Sequence, residues 1–166
     1  ARFGGLSAAI ACAGVIAGGK PAWWTTDEAW KLQMDVNLNG PWRLARAAVP
    51  ALLDQPIPRR GRFVAVASSA VASGHPNIAA YAAAKSGVIG LVRSMAVELA
   101  TEGVTVNPVC PGSTDTAMLA ASAEIYGLRS SVDFGRQQPI HRLIEPAEIA
   151  SAVGWLCSAG ASAITG

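Results

Sequence analysis

Charge is scarce in this 166-residue sequence: only 14% of its residues are Asp, Glu, Lys or Arg, and the formal net charge is +2. A chain that tracks nucleic acid needs a basic face, and a disordered chain needs high charge with few apolar residues. Neither fits a composition that is 51% hydrophobic. Cysteine is rare and odd in number, and Cys12, Cys110 and Cys157 form no C-x-x-C pair. Lying among Ala, Val, Leu and Pro, such thiols act as small hydrophobes, which argues against a disulfide framework or a metal site and for a reducing, cytoplasmic setting. No apolar run approaches the ~20 residues of a membrane span. A signal peptide is also a poor reading, because the apolar stretch 8–17 has only Arg2 before it. The 17 glycines and 10 prolines follow no period, which excludes collagen-like and low-complexity chains. An initiator Met is absent as well.

What is present is an alternation. Residues 6–13 form a short apolar run ended by Gly14, as in a strand buried on both faces. Thr25-Thr26-Asp27-Glu28 is a helix-opening signal, and 41–53 is helical with Leu44, Ala48 and Leu52 on one stripe and Pro50 placed to kink or shorten it. After a polar, Pro-rich loop over 54–60, residues 62–67 read as a second buried strand. Residues 79–100 carry the strongest helical pattern, with Ala84, Val88, Leu91, Val92, Met95 and Leu99 at helical spacing. Residues 104–109 form a third strand, expected to bulge or end near Asn107 because Pro108 is awkward inside a sheet. Glu145-Pro146-Ala147-Glu148 opens a last helix through Leu156. Strands and helices in strict alternation predict one α/β domain, a parallel sheet covered on both faces.

Ligands of such sheets collect beyond the carboxyl ends of the strands. There the sequence places Ser68 and Ser69, then Tyr81 and Lys85 one helical turn apart. A phenol titrates near pH 10, and an adjacent ammonium with a helix N-terminus should pull it down toward working range, making Tyr81 a general acid or base. After the third strand comes the turn Cys110-Pro111-Gly112-Ser113-Thr114-Asp115-Thr116, and Asn37 lies in Val36-Asn37-Leu38-Asn39-Gly40 ahead of the 41–53 helix. His75 and His141 stand in no G-x-S-x-G setting, so serine acyl transfer is a poor reading. Trp23, Trp24, Trp30 and Trp42 read as packing or subunit contact.

The order Asn37, Ser68, Tyr81-x-x-x-Lys85, Pro111-Gly112-x-Thr114-x-Thr116 resembles the short-chain dehydrogenase/reductase family over nearly the whole chain. The resemblance implies a Rossmann-like three-layer αβα fold, NAD or NADP as cofactor, and hydride exchange between an alcohol and a carbonyl. It implies that Tyr81 exchanges the substrate proton, Lys85 holds the nicotinamide ribose, Ser68 rather than Ser69 binds the reacting oxygen, and Asn37 supports a proton relay. Gly14, Pro111, Gly112, Thr114 and Thr116 would line the nicotinamide. Where the family carries Asn-Ala-Gly, this chain has Cys12-Ala13-Gly14, and losing the amide is expected to loosen that turn.

Residues 17–19, 62–68, 111–119 and 155–158 look like the family branch coupled to mycofactocin, which would imply tightly held NAD; a 3-oxoacyl thioester reductase is the alternative. Met118, Tyr126, Leu128 and Phe134 fall where the family carries a substrate lid and suggest a small hydrophobic alcohol or carbonyl substrate. The family also implies a homotetramer or homodimer built on the 41–53 and 79–100 helices. Phe3-Gly4-Gly5 precedes a strand, the wrong context for a phosphate-binding loop. The expectation is therefore that roughly 80 N-terminal residues and a short tail lie outside the sequence, given usual domain size. The rival reading is a truncated, non-catalytic interaction module.

Overall fold

The computed structural model describes residues 4–166. Three strands form one parallel sheet in the order β1 (Ala8–Ala11), β2 (Gly61–Val66), β3 (Val104–Val109). Ala8 lies opposite Arg62, and Gly61 opposite Val104. The central strand β2 is apolar because both its faces are covered. On one face, Phe63 and Ala65 pack with Val106, with Leu52 of helix α2 (Gly40–Leu53), and with Val88 and Val92 of helix α3 (Ala79–Glu98). On the other, Val64 meets Val153 and Leu156 of helix α6 (Pro146–Leu156) and Cys157 just beyond it, while Ile10 of β1 stays 43% exposed.

Helix α1 (Asp27–Met34) starts where the sequence signals it, with the Thr26 hydroxyl accepting from Ala29 N–H at 3.2 Å. It continues into α2 through a π-turn at Asp35–Asn39. Such turns recur at functional sites. α3 crosses this turn closely at Gly87, where a Cβ would come within 2.9 Å of Leu38. Pro50 neither ends nor shortens α2, which runs on to Leu53 with Pro50 on its exposed side. Two further short helices, α4 (Ala117–Ile125) and α5 (Val132–Arg136), lie between β3 and α6.

The expectation that β3 would bulge or stop near Asn107 is overturned, since pairing continues unbroken to Val66↔Val109, with Pro108 opposite Ala65. The reason is sidedness. Val109 C=O accepts from Ala67 N–H toward β2, and Val106 bonds Gly166 N–H and the Thr165 hydroxyl on the other side. Alternation therefore turns the proline nitrogen away from β2, where no ladder donor is lost.

Candidate active site

The carboxyl end of β2 leads into Ser68, which caps a single turn (Ser69–Val71) with its hydroxyl accepting from Ala70 N–H at 3.2 Å. This loop is tied to the one after β3 by Ser69 N–H donating to Pro111 C=O at 2.9 Å. The start of α3 then brings Tyr81 and Lys85 beneath it, only 8% and 3% exposed. Ser68 acts on the Tyr81 phenol in the direction that lowers its pKa.

The electrostatics depart from the sequence expectation. Burial holds the Tyr81 phenol above its ordinary value, and Ser68 opposes the rise only in part. Lys85 supplies no net depression because its Nζ stands 5.9 Å from the centre of the phenol ring and donates to Val66 C=O at 2.8 Å. Burial lowers the ammonium in turn.

Asn37 sits in the π-turn and is fully buried. Its Oδ1 accepts from Val15 N–H at 3.0 Å and its Nδ2 donates to Val15 C=O at 2.9 Å, so the side chain grips the segment leaving β1. Beyond the Cys12-Ala13-Gly14 turn, the segment is held by Asn37 and by the buried Gln33. Gln33 escaped the sequence reading, although its place four residues before Asn37 puts both on one helix face.

Gly14 faces this group. A Cβ built there would stand 3.2 Å from Asn37 Oδ1, 3.4 Å from Met118 Cε and 3.6 Å from Lys85 Nζ, filling the space between them. Lys85, with Val66 C=O as its one hydrogen-bond partner among the described residues, keeps donors for ribose hydroxyls. The site thus fits the nicotinamide-ribose end of NAD(P).

The turn 110–116 is braced rather than open. The Thr114 hydroxyl donates to Gly112 C=O at 3.0 Å, and the Thr116 hydroxyl donates to Thr114 C=O and caps α4 by accepting from Leu119 N–H. Backbone bonds between Ser113, Asp115 and Ile144 tie it to the segment before α6. Tyr126 and Phe134 stack edge-to-face at 6.0 Å, and the Tyr126 hydroxyl donates to Pro76 C=O at 2.9 Å, so this segment arches over the loop after Ser68.

Trp23 and Trp24 meet edge-to-face at 6.4 Å and remain 79% and 66% exposed. Trp24 lines a cavity of about 200 Å³ with Ala17, Gly18, Asn77 and Ile78. A larger cleft of about 460 Å³ lies at the amino ends of β2 and β3 beside Arg59, Arg60 and Arg62. It holds none of Ser68, Tyr81 or Lys85. His75 bonds Ser73 at 3.3 Å, and neither histidine has a hydrogen bond to Ser68 among the described residues. No helix there is long and apolar enough to cross a membrane.

A family model described as enoyl-(acyl carrier protein) reductase matches residues 1–166. An uncharacterized NAD-dependent oxidoreductase of Mycobacterium tuberculosis is 36% identical over 99% of this chain and 61% of its own length. A 3-oxoacyl-[acyl-carrier-protein] reductase of Vibrio cholerae is 41% identical over 84% of this chain and 54% of its own. Among solved structures, aldohexose dehydrogenase of Thermoplasma acidophilum superposes with a TM-score of 0.89 at 30% identity, covering 99% of this chain and 65% of that one. The chain thus spans about three-fifths of the length of the curated relatives it matches, such as the 61% covered in the mycobacterial oxidoreductase. With its parallel Rossmann-like sheet, its site beyond the strand ends and a match along its whole length, the chain belongs to the short-chain dehydrogenase/reductase family.

Proposed function

We propose that this chain carries the proton-handling and nicotinamide side of an NAD(P)-dependent oxidoreductase that interconverts an alcohol with a ketone or aldehyde. The observation that carries this reading is the placement of Ser68 and Lys85 beside the Tyr81 phenol, with Gly14 opening onto the Lys85 ammonium. When bound, the nicotinamide supplies the hydride donor or acceptor. Ser68 donates a hydrogen bond to the substrate oxygen, and Tyr81 takes its proton in oxidation or returns it in reduction. Lys85 holds the ribose hydroxyls and keeps a positive charge beside the phenol ring. Asn37 holds Val15 in place and supports the relay that carries the proton onward. Gly14 admits the nicotinamide ribose, and Pro111, Gly112, Thr114 and Thr116 shape the turn against which the nicotinamide rests.

The apolar Met118, Tyr126, Leu128 and Phe134 favour a small hydrophobic alcohol or carbonyl substrate. Reduction of a 3-oxoacyl thioester is the second reading, favoured by the 41% identity to the Vibrio cholerae reductase. The mycofactocin-coupled branch would appear as NAD that stays with the purified protein and is released only on denaturation. A homodimer or homotetramer would be built on α2 and α3, with the half-exposed Trp30 and Trp42 as further subunit contacts.

The test is titration of the full-length protein with NADH and NADPH, followed by a panel of secondary alcohols, ketones and 3-oxoacyl thioesters. Micromolar binding with turnover of the alcohols or ketones supports the first reading, and turnover of the thioesters alone supports the second. Binding of neither dinucleotide contradicts both and leaves the interaction-module reading. Lys85→Met should raise the Kd for NAD(H) by more than tenfold, the scale of a lost charged hydrogen bond.

A further inference from the structure

Between Cys12 and Lys20 the chain leaves the sheet and runs irregularly over the site. Backbone polar groups in such a stretch must find partners. Among the described residues, the one backbone–backbone bond on its course is at the far end, where Gly19 N–H donates to Asn77 C=O at 2.9 Å. The nearer part is held by side chains. Asn37 takes both polar groups of Val15. Gln33, only 1% exposed, reaches further along: one end of its amide lies 2.6 Å from Ala17 N, and the other lies 3.1 Å from Val15 O and 2.7 Å from Asn37 Nδ2.

We propose that Gln33 is a positioning residue of the dehydrogenase site, its buried amide acting with that of Asn37 to hold Gly14–Ala17 against Lys85. The inference rests on the reading given under Proposed function. A buried amide persists only where its polar atoms are used. Here three backbone or side-chain groups converge on it, and what they hold is consequential. Gly14, next to Val15, is the residue whose missing Cβ leaves the gap between Asn37 Oδ1 and Lys85 Nζ. If Val15 drifts, that gap changes shape.

The contacts also specify which substitutions should succeed. One end of Gln33 faces a donor, Ala17 N–H. The other faces both a donor, Asn37 Nδ2–H, and an acceptor, Val15 C=O. With Nε2 toward Val15 and Oε1 toward Ala17 the amide serves two of these three, and in the reverse orientation only Asn37. A neutral carboxyl serves all three, because its carbonyl accepts from Ala17 while its O–H donates to Val15 and accepts from Asn37. A carboxylate has no proton to give Val15. The charged groups around this cluster are Lys85 on α3 and Asp35 on the π-turn, the latter turned toward Asn39 and Arg43.

The experiment compares Gln33→Leu and Gln33→Glu with the wild type in the full-length protein. It reads amide hydrogen exchange at Val15 and Ala17, and kcat and KM for NAD across pH. In Gln33→Leu, exchange at Val15 and Ala17 should quicken roughly tenfold, and KM for NAD should rise by a similar factor with kcat changed less, the scale of one buried hydrogen bond. Gln33→Glu should match wild type at low pH and move toward the leucine variant as the carboxyl ionises. Wild-type exchange and KM in Gln33→Leu, or a Gln33→Glu defect that is flat with pH, would overturn the proposal. Where Gln33→Leu does not fold, the pH dependence of Gln33→Glu decides alone. A wild type without NAD-linked turnover defeats the functional reading, and the exchange arm still decides whether Gln33 holds the segment.

Discussion

Tyr81 and Lys85 lie one helical turn apart, yet the ammonium stands 5.9 Å from the centre of the phenol ring and is taken up by Val66 C=O. Burial therefore dominates, and the phenol sits above its ordinary value. The sign for activity follows directly. Oxidation needs the phenolate and gains with rising pH, whereas reduction needs the phenol and loses as pH climbs through the same range. A pH profile of kcat/KM in both directions should show these opposed alkaline limbs. Ser68→Ala removes the interaction that lowers Tyr81 and should move the oxidation limb to still higher pH, besides slowing turnover. Gly14 makes a separate prediction. Gly14→Ala places a methyl within 3.4 Å of both Asn37 and Met118, so calorimetric titration should show severalfold weaker NAD(H) binding with the fold retained. The identities of Ser68, Tyr81 and Lys85 were legible from order and spacing. The direction of the tyrosine shift was not, because it depends on burial and on where Nζ points, and no spacing encodes either.

At the scale of elements, the caps and apolar stripes fix most of what forms. Thr26 opens α1, the buried Ala84, Val88, Val92 and Met95 give α3 its stripe, and Glu145 with Glu148 makes a reciprocal cap on α6. Helices α4 and α5 were not legible. Each is short, and they are held by distant contacts such as Tyr126 on Pro76 and Gln138 on Ser113. The π-turn was hidden too, since its register depends on the close crossing of Gly87 over Leu38. Pro108 misled for a similar reason: whether a proline disrupts a strand depends on which side has a neighbour, and that belongs to the sheet. Pro50 is the element-scale test. It lies inside α2, is exposed, and leaves the Arg46 carbonyl without its helical donor. Pro50→Ala should raise stability by about 1–3 kcal/mol, read as a higher urea midpoint with the slope unchanged.

At the scale of the molecule, the described sheet is three strands wide, with β1 and β3 at its edges and Ile10 partly uncovered. Trp30, Leu32 and Trp42 are each close to half-exposed on the α1–α2 helices. Light scattering of the full-length protein should report a dimer or tetramer, and Trp30→Glu combined with Trp42→Glu should lower the mass toward that of the monomer. The α/β class and the parallel pairing were readable from alternation, because strands covered on both faces must be apolar throughout. The grip on the segment after β1 was not, because it comes from amides of a helix many residues later. The central claim is that Tyr81 handles the substrate proton, and it is tested most directly by the kcat of Tyr81→Phe in the full-length protein with its best alcohol and NAD(P). The account predicts a loss of roughly a hundred- to ten-thousand-fold with dinucleotide affinity kept; full turnover by the phenylalanine variant would contradict it.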